Sequence, residues 1–478
     1  MTATPTDTPT PTSLGPRAAV HLLNRLGFGP RPGDVERVLD RGLERRVLDQ
    51  LRPTADPDVE SRLRGFTTLG YSITQVLAHY EADRNSLSRV WEELFAAKVI
   101  RAVYSDNQLE EVLVDFWFNH LNVYLQDGFN RYATAAYERD AIRPHVLGKF
   151  RDLLRATAFH PAMMHYLDNY LSTVSRVDPR TGRLLHGLNE NYGRELLELH
   201  TVGVDAGYSQ EDVFEAARAF TGWGIDSLRT GRFQFRLGAH DTGAKRVFGL
   251  NLPAGGGQDD GETLLDYLAT HAATARHVSF RLCQRFVADD PPESIVGRCA
   301  QVFRSTGGDI SEVLKALVGS PEFWTQAFSP GKPKTPFEFT VSVLRAADAQ
   351  ITTLRGISPY LTNMGMPLYS CLPPTGYSNR GDDWLNPSSH LQRMNFALEV
   401  AANQISGLNT DANAVVRNAG GTPDDPASAA NAVNRAIFGG GLTPETLDAA
   451  SRVAPGGPVR VAARVLGLCL AGPDMQVR

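Results

Sequence analysis

Hydrophobic residues recur at intervals of three and four along most of the chain, which is the period of an amphipathic helix. Residues 87–103 and 109–124 are long examples, and the same period continues to 458–470 near the end. Pro144 interrupts a helical pattern over 135–155 and predicts a kink or a split there. The pattern therefore predicts a mainly α-helical fold, a single large orthogonal bundle of many helices.

Residues 232–250 depart from the helical period. Phe233, Phe235 and Leu237 alternate with polar residues, and 247–250 forms a second short apolar run. Alternation with a period of two is typical of a half-buried strand. We therefore predict a short β-hairpin or an extended loop inserted into the helical domain.

Length and composition define the expected domain organisation. The chain has 478 residues, of which 42% are hydrophobic, enough to bury a large core. Residues 1–15 are rich in Thr and Pro and predict a disordered tail, whereas 16–478 predicts one α-helical domain. The polar, Gly-rich stretch 407–427 predicts a mobile loop within that domain.

The charge balance argues against several classes of partner. The formal net charge is −5, from 48 basic and 53 acidic residues, so no strong field favours nucleic acid. No apolar run reaches the roughly 18 to 20 residues that a membrane span needs. We expect a cytoplasmic protein because no secretory signal is recognisable, although a secreted protein trimmed of its signal would look the same. The four cysteines form no CxxC pair and predict buried, reduced thiols.

The densest polar cluster is the stretch 189–200, read as a helix. Asn191, Glu195 and Glu198 share one face of this helix, and Arg194 lies four residues before Glu198. Leucines occupy the remaining surface, so the helix is expected to be largely buried. Two carboxylates beside one arginine are costly in a core unless they are paired or coordinated. We single out Glu195 and Glu198 as candidate catalytic residues, with Asn191 and Arg194 binding substrate.

Three interpretations of this cluster remain open. The carboxylates could act in acid/base chemistry without a metal. They could instead hold a divalent metal ion together with histidines of facing helices, for which His120 and His160 are candidates and His200 a weaker one. The structural alternative is a buried network in which the arginine pairs with neighbouring glutamates and joins helices.

A second cluster lies in the predicted hairpin region. His240 and Asp241 are candidate catalytic groups that could reach a cleft from a loop, and Lys245 could bind substrate. Trp223 follows a glycine and could form a stacking wall. The structural alternatives are a hydrogen-bonded turn around Asp241 and a core tryptophan.

A third cluster is the irregular stretch 373–384. Tyr377, Asp383 and Trp384 suit a polar ligand such as a sugar, because aromatic faces stack on the ring while carboxylates bind its hydroxyls. Arg393, on the helix that follows, could pair with a loop carboxylate or contact the ligand. The alternative is that the loop carboxylates are simply solvated.

These stretches together resemble a known family. The chain resembles the large bacterial family called domain of unknown function 1800, through 22–29, 116–120, 189–200, 217–223, His240, Asp241, Lys245, 376–384 and Arg393. The resemblance covers nearly the whole ordered chain and implies a mainly helical single unit. Members of the family are often exported. No catalytic role comes with the resemblance, only the expectation that these positions matter.

The sequence therefore favours an enzyme, a hydrolase or lyase rather than an oxidoreductase, acting on a small-molecule or glycan substrate by acid/base or metal-assisted chemistry. HExxH, P-loop, GxSxG and GxGxxG motifs are all absent from the sequence. Two alternatives remain. One is a metal-dependent oxidoreductase with an iron-type centre, and the other is a non-enzymatic binding or assembly protein.

Overall fold

The helical period of the sequence is the main determinant of the architecture. The computed structural model describes residues 15–177, 180–181, 184–227, 229–326 and 331–478. Within these ranges the chain forms twenty-five α-helices and four two-stranded antiparallel sheets, which confirms the mainly α-helical prediction. Residues 1–14 of the predicted tail lie outside the described residues, and residue 15 begins the first helix.

Ten helices make up the first part of the chain. Gly42 separates the second from the third because its φ of 89° is a backbone conformation that glycine adopts readily. The ten are α1 (Gly15–Arg25), α2 (Asp34–Arg41), α3 (Leu43–Gln50), α4 (Pro57–Leu63), α5 (Ile73–Ala82), α6 (Ser86–Tyr104), α7 (Gln108–His120), α8 (Asn130–Ala136), α9 (Phe150–Ala158) and α10 (Pro161–Tyr166).

The remaining helices follow, and side-chain caps define several of their starts. Ser209 and Asp212 form the predicted capping box, and Thr335 with Glu338 forms another. The helices are α11 (Asn191–Glu195), α12 (Gln210–Ala219), α13 (Asp259–Thr270), α14 (Ala272–Phe286), α15 (Glu293–Ser305), α16 (Ile310–Val318), α17 (Pro321–Thr325), α18 (Pro336–Ala346), α19 (Ser358–Asn363), α20 (Pro387–Ala401), α21 (Ala412–Asn418), α22 (Pro426–Phe438), α23 (Pro444–Ser451), α24 (Val461–Ala471) and α25 (Pro473–Gln476).

The predicted β insertion is present but pairs differently from the expectation. Phe233–Phe235 pairs with the upstream strand Trp223–Ile225, while Lys245–Val247 pairs with Leu250–Leu252. A hydrogen bond of 2.9 Å from the Asp226 amide to the Arg232 carbonyl closes the first hairpin and fixes its register. The strands are β1 (Arg176–Val177), β2 (Leu184–His186), β3 (Trp223–Ile225), β4 (Phe233–Phe235), β5 (Lys245–Val247), β6 (Leu250–Leu252), β7 (Gln350–Ile351) and β8 (Leu408–Asn409).

Two other predicted segments differ in detail. The pattern over 135–155 splits near Pro144 as expected, into a π-helical turn Tyr137–Ile142, a 3-10 turn Arg143–His145 and then α9. The stretch 407–427, predicted as a mobile loop, contains β8 and α21. Val415 and Val416 anchor α21 in the core, because both side chains are buried.

One hydrophobic cluster connects the two ends of the chain. It runs from Ala18 to Met475 and includes Trp117 and Trp223, neither of which is exposed to solvent. A small satellite of Val76, Leu87 and Val90 packs where α5 meets α6. No helix within the described ranges is long and apolar enough to cross a membrane.

Candidate functional site

The helix that carries the two glutamates changes its winding between them. α11 is α-helical, and the next five residues, Leu196–His200, form a π-helical turn. Leu196 and Leu197 are completely buried and hold this turn against the core, whereas Glu195 and Glu198 are half-buried. π-helical turns inside helices occur often at functional sites. Both carboxylates therefore sit at the surface of a well-anchored, irregular turn.

Packing of α11 on α12 fixes this arrangement. A Cβ on Gly193 would lie 2.8 Å from the Ala217 nitrogen and 3.1 Å from the Val213 oxygen, so the two backbones touch. Thr201 donates to the Leu196 carbonyl at 2.5 Å and ends the turn. The glutamates are thus attached to a part of the chain that cannot shift without moving α12.

The predicted arginine network forms only in part. Arg194 pairs with Glu190 at 3.0 Å and also donates to Gln210 at 3.2 Å. Glu195 and Glu198 have no ion-pair or hydrogen-bond partner for their side chains within the described part of the chain. Burial raises the pKa of Glu195, the negative charge of Glu198 raises it further, and Arg194 lowers it. Glu195 is therefore the carboxyl group of this pair whose protonated form the fold favours.

Two tyrosines lie beside this pair, and sequence reasoning missed both. The pKa of Tyr166 is raised mainly by burial, with contributions from Cys371 and from the charge of Glu195. The pKa of Tyr208 is raised by burial and by the charge of Glu198. A partly exposed tyrosine near each glutamate adds a hydroxyl and an aromatic face to the same surface.

Tyr166 also contacts the irregular loop 371–384, a contact that the sequence could not show. Its hydroxyl donates to the Leu372 carbonyl at 2.5 Å. The Asn122 amide donates to the carbonyls of Cys371 and Pro373, both at 3.0 Å. The beginning of the loop is therefore held next to α10 and the residues after α7.

Asn119 at the end of α7 fixes the middle of the loop. Its amide donates to the Tyr377 carbonyl at 2.8 Å, and its oxygen accepts from the Tyr377 amide at 2.7 Å. Gly376 is required there, because a Cβ at this position would lie 2.2 Å from the Asn119 carbonyl oxygen. Asn119 stands in the aromatic stretch 116–120 that the sequence had marked, but its role as the loop anchor follows only from the structure.

The loop side chains predicted to bind substrate are partly occupied by the loop itself. The Tyr377 hydroxyl donates to the Pro367 carbonyl at 2.7 Å, and the Trp384 indole donates to the Ser378 carbonyl at 3.0 Å. Asp383 is exposed and accepts from the Ser378 hydroxyl. Tyr377 and Trp384 are half-buried with ring centroids 6.0 Å apart. Both rings therefore keep part of their surface open to solvent, and Asn191 is exposed on α11.

Of the histidines predicted as metal ligands, His120 and His200 lie in the interior and His160 is half-buried. His120 and His200 are 4% and 1% exposed, and the His120 ring nitrogen donates to the His200 carbonyl at 3.2 Å. His160 caps α10 by accepting from the Ala162 amide at 3.2 Å. Burial lowers the pKa of His200 to about 3 and that of His160 to about 4. The His120 and His160 rings therefore form hydrogen bonds with the protein backbone, and the His200 ring is buried in the core.

The geometry does not support a metal site built from these ligands. Across the residues whose placement the structure gives, no group of three or more His, Cys, Asp or Glu side chains is arranged to hold a metal ion. Glu198 is half-buried on the π turn, whereas the side chain of His200 is buried in the core.

The second predicted cluster is a buried ion network and not an open catalytic loop. His240 contacts the Asp260 carboxylate at 3.2 Å, and Lys245 donates to the same carboxylate at 2.7 Å. Asp241 accepts two hydrogen bonds from Arg218, at 2.9 and 3.0 Å. These bonds lower the pKa of Asp241 to about 2. The side chains of His240 and Lys245 are fully buried, so the predicted approach of this loop to the glutamates is not what the structure shows.

Trp223 and Arg393 also lie in the core, in contrast to their predicted role as substrate contacts. Trp223 has no exposed surface and packs edge-on against Phe220 with ring centroids 5.1 Å apart. Arg393 is equally buried and donates to the Lys334 carbonyl at 2.8 Å. Of the predicted side chains, Arg194, Glu195 and Glu198 are half-buried on α11 and the turn that follows it, and Asn191 is exposed on the same helix.

Comparison with known proteins identifies a family and nothing narrower. The family model described as "Protein of unknown function (DUF1800)" matches residues 21–477. A search of curated proteins and a search of solved structures both find no match to this chain.

Proposed function

The chain belongs to this DUF1800 family, and from that premise we propose that it is a hydrolase whose general acid is Glu195. The observation that supports the proposal is the pair of half-buried glutamates without a cationic partner in the described part of the chain. Neighbouring carboxylates that burial and mutual repulsion push apart in pKa are typical of catalytic acid/base pairs. A pair that served only packing would be expected to have a counter-ion.

The two glutamates take different roles in this proposal. Glu195, whose pKa is raised by burial and by Glu198, holds a proton and gives it to a leaving group. Glu198 stabilises positive charge that develops on the substrate. Both groups are adjacent on one turn, so they act from the same side of the bound molecule.

The surroundings favour a neutral, polar substrate. The charge of Glu198 acts on the Tyr208 hydroxyl, and Asn191 is exposed on α11. The aromatic faces of Tyr377 and Trp384 lie on the loop that Tyr166 contacts. Aromatic faces with a few polar groups are the usual lining of carbohydrate and small polar ligand sites. A glycan or a related polyhydroxylated small molecule fits this combination best.

A substitution pair tests the assignment. We expect Glu195→Gln to reduce turnover of methyl glycosides, whose alkoxide leaving group must be protonated as the glycosidic bond breaks, at least about 100-fold, in the range typical for loss of a general acid. The variant should fold with undiminished stability in urea, because the replaced carboxylate has no partner to lose. The matched control is Glu211→Gln on α12, whose side chain is exposed, and its activity should equal that of the wild type.

The pH profile gives an independent readout. In the wild type, kcat/KM should fall as the pH rises through the raised pKa of Glu195, because the acid form is consumed. Glu198→Gln removes the neighbouring negative charge, so the alkaline limb should move to lower pH. A panel of glycosides without turnover, or a limb unchanged in Glu198→Gln, would show that the hydrolase assignment is wrong.

A second candidate is a binding or assembly protein, and one observation favours it. Leu391, Met394 and Leu398 lie on one face of α20 at intervals of three and four, and they are 56%, 37% and 37% exposed. Exposed apolar rows of this kind often mark contact surfaces between proteins. Under this alternative Glu195→Gln would leave the binding of a partner unchanged, whereas Leu391→Asp would weaken it.

A further inference from the structure

Six basic side chains meet in the interior on the side of α18 that faces the end of the chain. None of them is more than 6% exposed. We refer to them as the basic cluster: Arg25, Arg285, Lys332, Lys334, Arg393 and Arg478. They come from α1, α14, the segment before α18, α20 and the residues after α25, so the fold and not the sequence assembles them.

The carboxylates around the basic cluster are too few to neutralise it. Glu338 pairs with Arg285 at 2.6 Å and with Arg478 at 2.8 Å. Asp289 pairs with Lys332 and also accepts the Gly381 amide at 2.9 Å. Among the described residues, these two acidic side chains therefore form the ion pairs of a cluster of six basic ones, which leaves the cations in excess.

Several donors of the cluster have no acceptor. Within the described residues, Nε and Nη2 of Arg25, Nε of Arg393 and Nε of Arg478 are buried without a hydrogen-bond partner. The Lys334 ammonium has only the Met475 sulfur, at 3.9 Å. A buried charge without a counter-ion is strongly unfavourable, and proteins normally avoid it or fill the place with an anion.

Burial acts on the cations in the direction expected for unpaired charge. It lowers the pKa of Arg25 and of Arg393 to about 10, and Glu338 opposes the shift in both cases. It lowers the pKa of Lys334 to about 7. An additional negative charge at this place would reverse these shifts.

Space for an anion exists next to the cluster. A cavity of about 350 Å³ is lined by Lys334 and Arg478 together with Arg17, His21, Asn24 and Asp474, whose carboxylate accepts hydrogen bonds from Thr443. Arg17 stands exposed at its rim, so the cavity can be reached from solvent. Its volume exceeds that of a single phosphate group and admits an organic part of the same molecule.

We propose that this cavity binds an oxyanion of the phosphate type, held between Lys334 and Arg478 and entering past Arg17. Guanidinium and ammonium groups are the side chains that recognise phosphate, arginine through paired donors and lysine as a point charge. The bound anion supplies the missing counter-charge of the basic cluster. The site is separate from the glutamate turn and independent of the proposed hydrolase activity.

Thermal unfolding of the full chain in phosphate-free buffer tests this proposal, with inorganic phosphate as the probe. We expect a saturable rise in Tm of about 2 to 3 °C at a hundredfold excess over the Kd. Sodium chloride at matched ionic strength should not reproduce it. Equilibrium dialysis of the wild type should find about one phosphate per chain. No saturable rise, or an equal rise with acetate in place of phosphate, would overturn the proposal.

Substitutions localise the effect. Lys334→Met should abolish the response to phosphate, and without phosphate it should be at least as stable as the wild type, because it removes an unpaired buried charge. A purely structural lysine would instead lose stability when replaced. Lys315→Met, on an exposed lysine of α16, is the control and should keep the full response.

A rim variant keeps the test decisive if Lys334→Met does not fold. Arg17 is exposed, so Arg17→Met should fold normally and raise the Kd for phosphate about threefold or more. If dialysis shows the same Kd for Arg17→Met and for the wild type, the anion binds elsewhere and the proposal is wrong.

Discussion

Adding one methyl group at Gly193 should have two opposing effects on the stability of the protein. It should disturb the packing of α11 against α12, and it should improve the helix propensity of α11. The change is Gly193→Ala. The new Cβ would meet the Ala217 nitrogen at 2.8 Å, the Ala217 Cα at 3.1 Å and the Val213 oxygen at 3.1 Å. All three are backbone atoms of α12, so no flexible side chain can move aside.

The magnitude follows from two opposing effects. Alanine in place of glycine inside a helix stabilises by roughly 0.5 to 1 kcal/mol. Overpacking against fixed neighbours costs about 1 to 3 kcal/mol, and three short backbone contacts place Gly193 towards the upper part of that range. We therefore expect a net loss of about 1 to 2 kcal/mol in the free energy of unfolding. The turn carrying Glu195 should be displaced at the same time.

Urea unfolding followed by circular dichroism measures the change, and α15 offers a matched control. Gly297 lies within α15, is exposed, and a Cβ there would have no heavy atom within 4 Å. Gly297→Ala should therefore stabilise by roughly 0.5 to 1 kcal/mol. We therefore expect the free energy of unfolding to decrease for Gly193→Ala and to increase for Gly297→Ala. If Gly193→Ala is as stable as the wild type, the close contact between α11 and α12 is not a constraint and the reasoning fails.

Two further predictions concern buried charge. Lys98→Met should lower the free energy of unfolding in urea by about 3 to 5 kcal/mol, because Lys98 is the buried partner of Asp115 at 2.9 Å and of Glu138 at 3.8 Å. The control is Lys149→Met, which removes an exposed ion pair with Asp309 and should cost no more than about 1 kcal/mol. Equal losses in the two variants would contradict this account. His200 is neutral in the fold because burial lowers its pKa to about 3, so its contribution to stability is complete above pH 6.5 and is lost as the pH falls from 6.5 towards 3. The loss of unfolding free energy at pH 5 should be about 2 kcal/mol. His200→Leu should reduce the slope of unfolding free energy against pH between pH 6.5 and 3. An unchanged slope would mean that other groups control the loss of stability in acid.

The mainly helical class of the fold and the positions of many helices could be predicted from the sequence, because both depend on interactions between residues that are close together along the chain. The three- and four-residue period predicts α6 and α7 to within a few residues. The polar stretch 189–200 was recognised as unusual from its composition. What the sequence could not show was that a π turn would interrupt it, since the winding depends on how Gly193 and Leu196 meet α12.

Which polar residues lie on one surface and which are buried together depends on the tertiary structure. His240, Asp241 and Lys245 look like a reactive loop in sequence, yet Asp260 and Arg218 bury them in an ion network. Arg393 joins residues as distant as Arg25 and Arg478 in a basic cluster that no local pattern announces. The physical reason is that period and capping depend on neighbours along the chain, whereas burial and charge balance depend on side chains that only folding brings together.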